Sequence, residues 1–360
     1  MSLTDTSERA NLQPDLLEVE DLESNTLVEL FASKGWGDGL PLVAPTVERV
    51  ETMLAAVDTD PDELLGTIPP RHGALTPRTV AVNAVLAGCA PTVMPVLVEV
   101  ARALGSGVVD LAAINPTTHP VAPLVIVHGE AVERLGFNAG AGSFGPGCRA
   151  NATVGRTVRL LMIHAGGAVP GDGDRSTQGQ PSKYTFCVAE NTAASPWGGY
   201  PASVGVDAPS AVTVAGLENP TNIHDMESDR PERILDKIAS NITSLGSNHA
   251  CLSGAEIFIA LGPEHAATIA GQKWRRDDVQ GYLFQRARLP ARTIRAAFDN
   301  RREPHWTRGL GDDELVPMTD HPDKFRIFVT GGPGKHSQVL PSFGARPTSV
   351  TRPLYLPDDK

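Results

Sequence analysis

The segment 138–191 constrains this chain more than any other, because it is crowded with glycine and other small residues. Glycine loses more conformational entropy on folding than any other residue, and it is concentrated where a backbone turns sharply or approaches a ligand closely. Reactive and charged side chains stand within the same segment, among them Cys148, Arg149 and Glu190. The pattern predicts loops that form a binding site with their own backbone N–H groups.

The chain has 360 residues, which is enough to bury a large core in two lobes or in one large α/β unit. Asp and Glu number 42 against 31 Lys and Arg, which gives a formal net charge of −11. An acidic protein repels phosphate backbones and anionic lipid headgroups, so we expect neither nucleic acid nor a membrane surface as a partner. The cysteines (Cys89, Cys148, Cys187 and Cys251) form no CxxC motif, which argues against a disulfide framework or a zinc ribbon.

The first 25 residues are rich in Asp and Glu and contain no apolar run, unlike a signal or transit peptide. No later run approaches the roughly 18 uninterrupted apolar residues that a membrane span needs. We therefore expect an acidic mobile arm over residues 1–25 and a cytoplasmic protein.

The hydrophobic pattern of the rest predicts an α/β fold, a mixed sheet with helices in two lobes, whose Gly-rich loops form a central site. Four apolar runs of strand length predict strands over 124–129, 211–215, 257–262 and 325–332. Predicted helices cover 27–32, 47–57, 77–86, 92–104, 150–165, 232–242 and 277–288, and another begins at residue 263. A loop near residue 205 predicts an N-terminal lobe over 26–205 and a C-terminal lobe over 206–360.

Residues 145–156 predict a glycine loop that leads into a helix beginning at Ala150. The free N–H groups and positive dipole end of such a helix suit an anion and favour a reactive thiolate at Cys148. Arg149 and Arg156 could bind a carboxylate, and Asn151 lies in the same loop. The alternative is that the glycines permit tight packing, Cys148 is buried, and the arginines pair with acidic surface groups.

The run 183–191 predicts a strand on which Lys183 and Cys187 share one face. Lys183 or Glu190 would then move protons, with Asn191 in contact with the substrate. The alternative is an exposed strand edge. Cys89, in a Gly/Pro turn between two helices, is a second candidate nucleophile. The alternative is that Cys89 is a small, buried apolar residue of the core.

Two further glycine-rich loops complete the candidate site. Asp38 is surrounded by glycines at residues 35–39, and Lys335, His336 and Ser337 follow the last predicted strand. The second loop lacks the spacing of a phosphate-binding P-loop, but loops after strands commonly face ligands in α/β sheets. The alternative is that the loop at residues 331–337 is a turn without ligand contacts.

Cofactor fingerprints are missing from the sequence. No GxGxxG follows a strand, no GxSxG occurs, and the histidines form neither HExxH nor HxH. The sequence therefore predicts no metal site and leaves the cofactor unknown.

Four motifs together resemble a largely uncharacterised bacterial family of about this length. They are GWGDGLP at 35–41, AVNAVLAGC at 81–89, GPGCRANATVGR at 145–156, and PSK at 181–183 with EN at 190–191. Some relatives in that family are associated with small partner proteins that carry a selenocysteine- or cysteine-Gly-Ser-Cys motif. The resemblance implies that a redox centre, if the system has one, comes from such a second subunit.

The leading hypothesis is an enzyme of small-molecule catabolism that acts on a small polar or anionic organic molecule. Lyase or hydrolase chemistry is favoured over oxidoreductase chemistry because no cofactor fingerprint is present. The alternatives are a substrate-binding subunit of a two-component thiol or selenol redox enzyme, and a non-enzymatic ligand sensor or scaffold. The sequence leaves homo-oligomerisation open.

Overall fold

The computed structural model describes residues 24–248, 255–297, 305–343 and 348–357. Almost all of the expected acidic arm, and Cys251, lie outside these ranges. The α-helices are α1 (Ser24–Lys34), α2 (Val47–Leu54), α3 (Pro77–Ala87), α4 (Met94–Gly105), α5 (Leu111–Ile114), α6 (Ala131–Arg134), α7 (Arg149–His164), α8 (Tyr200–Ser203), α9 (Pro231–Ile242), α10 (Pro263–Gly271), α11 (Arg276–Arg286) and α12 (Ala291–Ala297). The strands are β1 (Gly66–Ile68), β2 (Gly73–Leu75), β3 (Ala122–Gly129), β4 (Cys187–Ala189), β5 (Ser210–Leu217), β6 (Thr221–His224), β7 (Ile257–Leu261), β8 (Arg288–Pro290), β9 (Leu315–Pro317), β10 (Phe325–Val329), β11 (His336–Pro341) and β12 (Val350–Leu354).

Two mixed sheets of four strands each organise the fold. The first has the order β12-β5-β3-β4, in which β3 and β4 are parallel and the other pairs are antiparallel. The second has the order β10-β7-β11-β6, in which β10 and β7 are parallel. The predicted α/β class with a mixed sheet is confirmed.

The two sheets pack face to face, with helices on both outer faces. Successive side chains of a strand point to opposite faces. In β3, Leu124 and Ile126 pack against the second sheet, while Val125 contributes to the core under helices α3, α4 and α7. In β7, Phe258 packs between the sheets and Ile259 faces the helices of the second half. This arrangement explains why these strands are apolar on both faces.

The two sheets also exchange a strand. After β5 the chain crosses to the second sheet, where β6 pairs with β11. After β11 the chain crosses back, and β12 pairs with β5. Each half of the chain therefore forms one sheet from a parallel strand pair and an antiparallel third strand. Each half also contributes a fourth strand to the sheet of the other half.

The carboxyl ends of β4 and β10 meet between the two halves. The backbone N–H of Asn191 donates to the carbonyl oxygen of Val329 over 2.8 Å, and the Thr330 hydroxyl donates to the carbonyl oxygen of Ala189 over 2.7 Å. Polar residues that follow the parallel strands of both sheets are thereby brought to one edge of the molecule, where ligands commonly bind in α/β folds.

Helix α7 lies close against the segment that leads into β4. A Cβ atom on Gly155 would lie 2.4 Å from the hydroxyl of Thr185 and 2.5 Å from the backbone nitrogen of Phe186. Distances this short are impossible without movement, so glycine is required at this point of the helix. The contact fixes the position of the first turns of α7 relative to β4.

β5 follows residue 205 and completes the sheet that contains β3 and β4. One expectation from the sequence differs from the structure. Lys183 lies in a 3₁₀ turn (Pro181–Lys183) rather than in a strand, because β4 begins only at Cys187. The other helices and strands that the sequence predicted begin within a few residues of observed elements. The sequence did not predict β1, β2, β6, β8, β9, β11 or β12. In the part of the chain that the structure describes, no helix is long and apolar enough to cross a bilayer.

We predict that Gly155→Ala lowers the free energy of unfolding by about 1–3 kcal/mol, because the added methyl group overpacks the contact of α7 with Thr185 and Phe186. Gly281→Ala is the matched control, since Gly281 also lies inside a helix but a Cβ there would have no neighbour within 4 Å. That control should raise the stability by about 0.5–1 kcal/mol. Urea unfolding measures both, and equal behaviour of the two variants would contradict the close contact.

Candidate functional site

Lys183 and Arg159 share a single carboxylate. Lys183 Nζ lies 2.7 Å from Asp174 Oδ2, and Arg159 Nη1 lies 3.1 Å from the same oxygen. The side chains of both cations are 13% exposed and that of Asp174 is 5% exposed. One negative charge thus faces two positive charges, which leaves a surplus of one positive charge in a poorly solvated place.

Burial and the neighbouring charges shift the pKa of both partners. Burial, with the positive charge of Arg159, lowers the pKa of the Lys183 ammonium, although Asp174 acts in the opposite direction. Burial alone would raise the pKa of Asp174, but the hydrogen bonds from Lys183 and Ser176 outweigh it, so the net pKa is lowered. A lysine with a lowered pKa is a better proton acceptor near neutral pH than an ordinary surface lysine.

The two cations line a cleft between α7 and the strands of the first sheet. Ser182 and Asn115 add polar groups, and Phe186 is among the apolar residues of the wall. The cleft has a volume of about 20 Å³, which is room for about one water molecule. Small-molecule sites usually have volumes of roughly 300–1,000 Å³, so the walls of this cleft have to move apart before an organic ligand can enter.

Two sets of hydrogen bonds meet at His119, one on its backbone carbonyl and one on its ring, and lie between Asp174 and a second titratable group. The Ser176 hydroxyl lies 2.8 Å from Asp174 Oδ1 and 2.9 Å from the carbonyl oxygen of His119. His119 Nδ1 lies 2.9 Å from Asn248 Oδ1, and the Asn248 amide donates to Glu218 Oε1 over 2.7 Å. Burial raises the pKa of Glu218 to about 7. The cleft therefore lies on a polar network with a lysine of lowered pKa at one end and a carboxyl group of raised pKa at the other.

Glu190 lies between the two sheets rather than in this cleft. Its side chain has 0% exposure, accepts hydrogen bonds from the backbone N–H of Tyr200, and lies 2.7 Å from His128 Nδ1. The other nitrogen of His128 contacts the Thr213 hydroxyl over 2.8 Å. Arg276, from the second half, is 9% exposed, and its Nε has no hydrogen-bond partner among the described residues. Burial lowers the pKa of Arg276, while the charge of Glu190 opposes this change.

The arginines predicted to bind an anion lie on helix α7 and contact other protein groups. Arg149 donates from Nε to the carbonyl oxygen of Gly88 over 2.9 Å. Arg156 makes a bidentate pair with Asp38, with Nε to Oδ2 at 2.7 Å and Nη2 to Oδ1 at 2.8 Å. Burial raises the pKa of Asp38, but hydrogen bonds and charge from Arg156 reverse the direction and lower it. This buried pair fixes the first glycine loop, residues 35–39, on α7.

Three cysteines lie around the first turns of α7. Cys148, at the N-cap of the helix, is half-buried, and its thiol donates to the carbonyl oxygen of Gly136 over 3.2 Å. Cys89 is buried with its sulfur 3.3 Å from the Thr157 hydroxyl, and burial raises the pKa of its thiol. Burial also raises the pKa of Cys187, and the charges of Cys148 and Cys89 add to this effect.

The remaining predicted site residues hold the Gly-rich loops in place. Asn151 is buried and bonds to the backbone of Asn138 and Ser143. The Asn191 side chain donates to the carbonyl oxygen of Gly331, so it links the end of β4 to the loop after β10.

The loop after β10 packs on the Gly-rich loop after α6. A Cβ on Gly332 would lie 2.8 Å from the Cβ of Ala141, so the two backbones are in direct contact. At the end of this loop, Ser337 is buried against His265 at 2.8 Å, His336 is exposed, and Lys335 is half-buried. Two loops singled out in the sequence thus meet, but Lys335, His336 and Ser337 do not line the cleft beside Lys183.

The cleft beside Lys183 and its polar network include residues that the sequence alone did not indicate. Arg159 lies three residues beyond Arg156 on α7, nearly one helical turn away, and bonds to a different carboxylate, that of Asp174. Asp174 lies in the Asp-Gly-Asp loop at residues 172–174, which the sequence did not single out as part of the site. Glu218 and Asn248 carry no motif, because their roles depend on contacts between distant parts of the chain.

No protein-family model matches the sequence, and comparisons with curated proteins and with solved structures also return no match. Within the described ranges, no group of three or more His, Cys, Asp or Glu side chains is arranged to hold a metal ion. The fold and the cleft define an α/β protein with a buried cation pair beside a small polar cleft.

We predict that the stability of the protein depends on pH through Glu218. The pKa of this carboxyl is about 7 in the folded chain against an ordinary 4.5, so folding favours the protonated form. Stability should therefore decrease as the pH rises from about 4.5 through about 7 and remain reduced above that. Glu218→Gln should remove this part of the slope in urea unfolding measured between about pH 5 and about pH 8. Glu133→Gln, at an exposed position, is the control; a Glu218→Gln slope equal to that of the control would refute the assignment.

Proposed function

We propose that this protein is a cytoplasmic enzyme that binds a small organic anion in the cleft beside Lys183 and acts on it by lyase- or hydrolase-type chemistry. The observation that carries the proposal is the pairing of Lys183 and Arg159 with one carboxylate at the wall of that cleft. A free carboxylate group of a ligand would supply the missing negative charge.

The charge of the whole molecule supports the selectivity of this site. A formal net charge of −11 repels small anions from most of the surface. A buried surplus positive charge is unfavourable unless it is paired, so binding of an anion would relieve that cost. Arg159 has the planar guanidinium geometry that suits a carboxylate.

Lys183 and Glu218 supply groups for proton transfer. Enzymes that remove a proton at one stage and return it at another use titratable groups whose pKa values have moved toward neutrality in opposite directions. The pKa of Lys183 is lowered and that of Glu218 is raised to about 7. We therefore assign Arg159 to anchoring the anion and Lys183 to accepting a proton, with Glu218 as a second titratable group on the same polar network.

We predict that small monocarboxylates and dicarboxylates bind saturably to the tag-free protein in isothermal titration calorimetry. Arg159→Gln and Lys183→Met should each weaken the binding at least tenfold, which is about 1.4 kcal/mol, because each removes the surplus charge. Arg175→Gln removes a positive charge from an exposed neighbour of Asp174 and should leave the affinity unchanged.

Turnover of a bound carboxylate then separates an enzyme from a ligand sensor or scaffold. An enzyme loses turnover in Lys183→Met, and its pH profile near neutrality changes in Glu218→Gln. Circular dichroism confirms that the variants are folded. Saturable binding without turnover would favour the sensor, and equal affinities in all three charge variants would place the anion elsewhere.

A second function, the substrate-binding subunit of a two-component thiol or selenol redox enzyme, is favoured by the cysteines around α7. Cys148 is the only half-buried thiol among the three described cysteines, and it lies at the N-cap of α7. The partner would be a small protein with a cysteine- or selenocysteine-Gly-Ser-Cys motif.

For this second function we predict that an oxidised Cys-Gly-Ser-Cys peptide forms a mixed disulfide with Cys148. The Cys148 thiolate attacks one sulfur of the peptide disulfide, and the other sulfur leaves as a thiol. Peptide mass spectrometry should find the adduct on Cys148 and not on Cys89 or Cys187, which react only after unfolding. Cys148→Ser is the control, and an absence of adduct in the wild-type chain would exclude this function.

A further inference from the structure

Two exposed histidines face each other across neighbouring strands at the edge of the second sheet. In the register of β6 and β11, His224 lies directly opposite His336. Both side chains are exposed, and the centres of their rings are 5.2 Å apart. β6 is the edge strand of its sheet, so both rings are accessible to a solute.

The separation of the two rings matches that of two imidazoles bound to one metal ion. A metal bound by one nitrogen of each ring lies about 3.2 Å from each ring centre, since the metal–nitrogen bond is about 2.1 Å and the nitrogen lies about 1.1 Å from the centre. At a tetrahedral angle of about 109°, the two ring centres are then about 5.2 Å apart. His224 and His336 therefore need little movement to bind the same ion.

A neighbouring amide orients one of the two rings. His336 Nδ1 lies 3.2 Å from Asn222 Oδ1, and an amide oxygen there accepts a proton from Nδ1. In this tautomer Nε2 carries the free lone pair that a metal requires. Metal-binding histidines commonly make such a second hydrogen bond, and its loss lowers metal affinity roughly 10–100-fold. The ring of His224 has no hydrogen-bond partner among the described residues, so its ring nitrogens are available.

We propose that His224 and His336 form a binding site for a divalent late transition metal ion, with water or a ligand anion in the remaining positions. Imidazole nitrogen suits Zn²⁺, Ni²⁺ and Cu²⁺, and the usual order of affinity places Cu²⁺ first. Mg²⁺ and Ca²⁺ require several oxygen ligands and are disfavoured beside the cation of Lys335. A bound ion also joins β6, which the first half contributes, to β11 of the second half. This site is separate from the cleft beside Lys183, and the inference does not depend on the proposed function.

The test is isothermal titration of the EDTA-treated, tag-free full chain with Zn²⁺ alone, followed by Cu²⁺ electron paramagnetic resonance. We expect one Zn²⁺ per chain and a Cu²⁺ spectrum with nitrogen coupling. His224→Asn and His336→Asn should each weaken Zn²⁺ binding at least tenfold, and Asn222→Ala should weaken it about tenfold. Zn²⁺ should raise the Tm of the wild-type chain and not that of His336→Asn.

Two control variants distinguish this site from other metal ligands of the chain. His321→Asn removes a histidine whose side chain is 66% exposed, and Cys148→Ser removes the half-buried thiol; both should bind Zn²⁺ as the wild type does. Both histidine variants lie at exposed positions and should remain folded, as circular dichroism will show. Unchanged affinity in both His224→Asn and His336→Asn, absence of saturable binding in the wild type, or loss of binding in Cys148→Ser would each overturn the proposal.

Discussion

The apolar layer between the two sheets is the constraint on which the rest of this molecule depends. Leu124 and Ile126 from the first sheet and Phe258 from the second are buried in this layer. Burial of apolar surface is the main favourable term in folding, and neither sheet could bury its inner face without the other. The exchanged strands β6 and β12 follow from this layer, because each crosses between two sheets that the layer holds together.

The same layer decides where polar groups can be placed. His128 lies at the carboxyl end of β3 and Glu190 directly after β4, both on the side that faces the second sheet. There they are buried and bonded to each other. A buried charged group remains stable only when it is paired. Glu190 also interacts through its charge with Arg276 of the second half, so this network is part of the junction between the halves. We regard Glu190 as a group that holds the halves together.

The candidate catalytic groups lie on the other side of the first sheet. Helix α7 carries Arg156 and Arg159, which bond to two different carboxylates, Asp38 and Asp174. The first pair is balanced and fixes a glycine loop, whereas the second includes Lys183 and has one excess positive charge. This difference in charge balance, rather than the residue types, distinguishes a structural ion pair from a candidate anion site.

The sequence by itself determined the α/β class, the capped helices and the apolar strands, because hydrophobic period and local capping depend on neighbouring residues. Thr76 and Pro77, for example, specify a helix start that the structure reproduces. The sequence also indicated Lys183, but as part of a strand and without its partners. Tertiary structure alone decided that Arg159, Asp174 and Glu218 join it, that Arg156 is occupied by Asp38, and that β6 and β12 change sheets. These outcomes depend on contacts between residues far apart in the chain, and charge pairing and burial act on such residues only after the fold has brought them together.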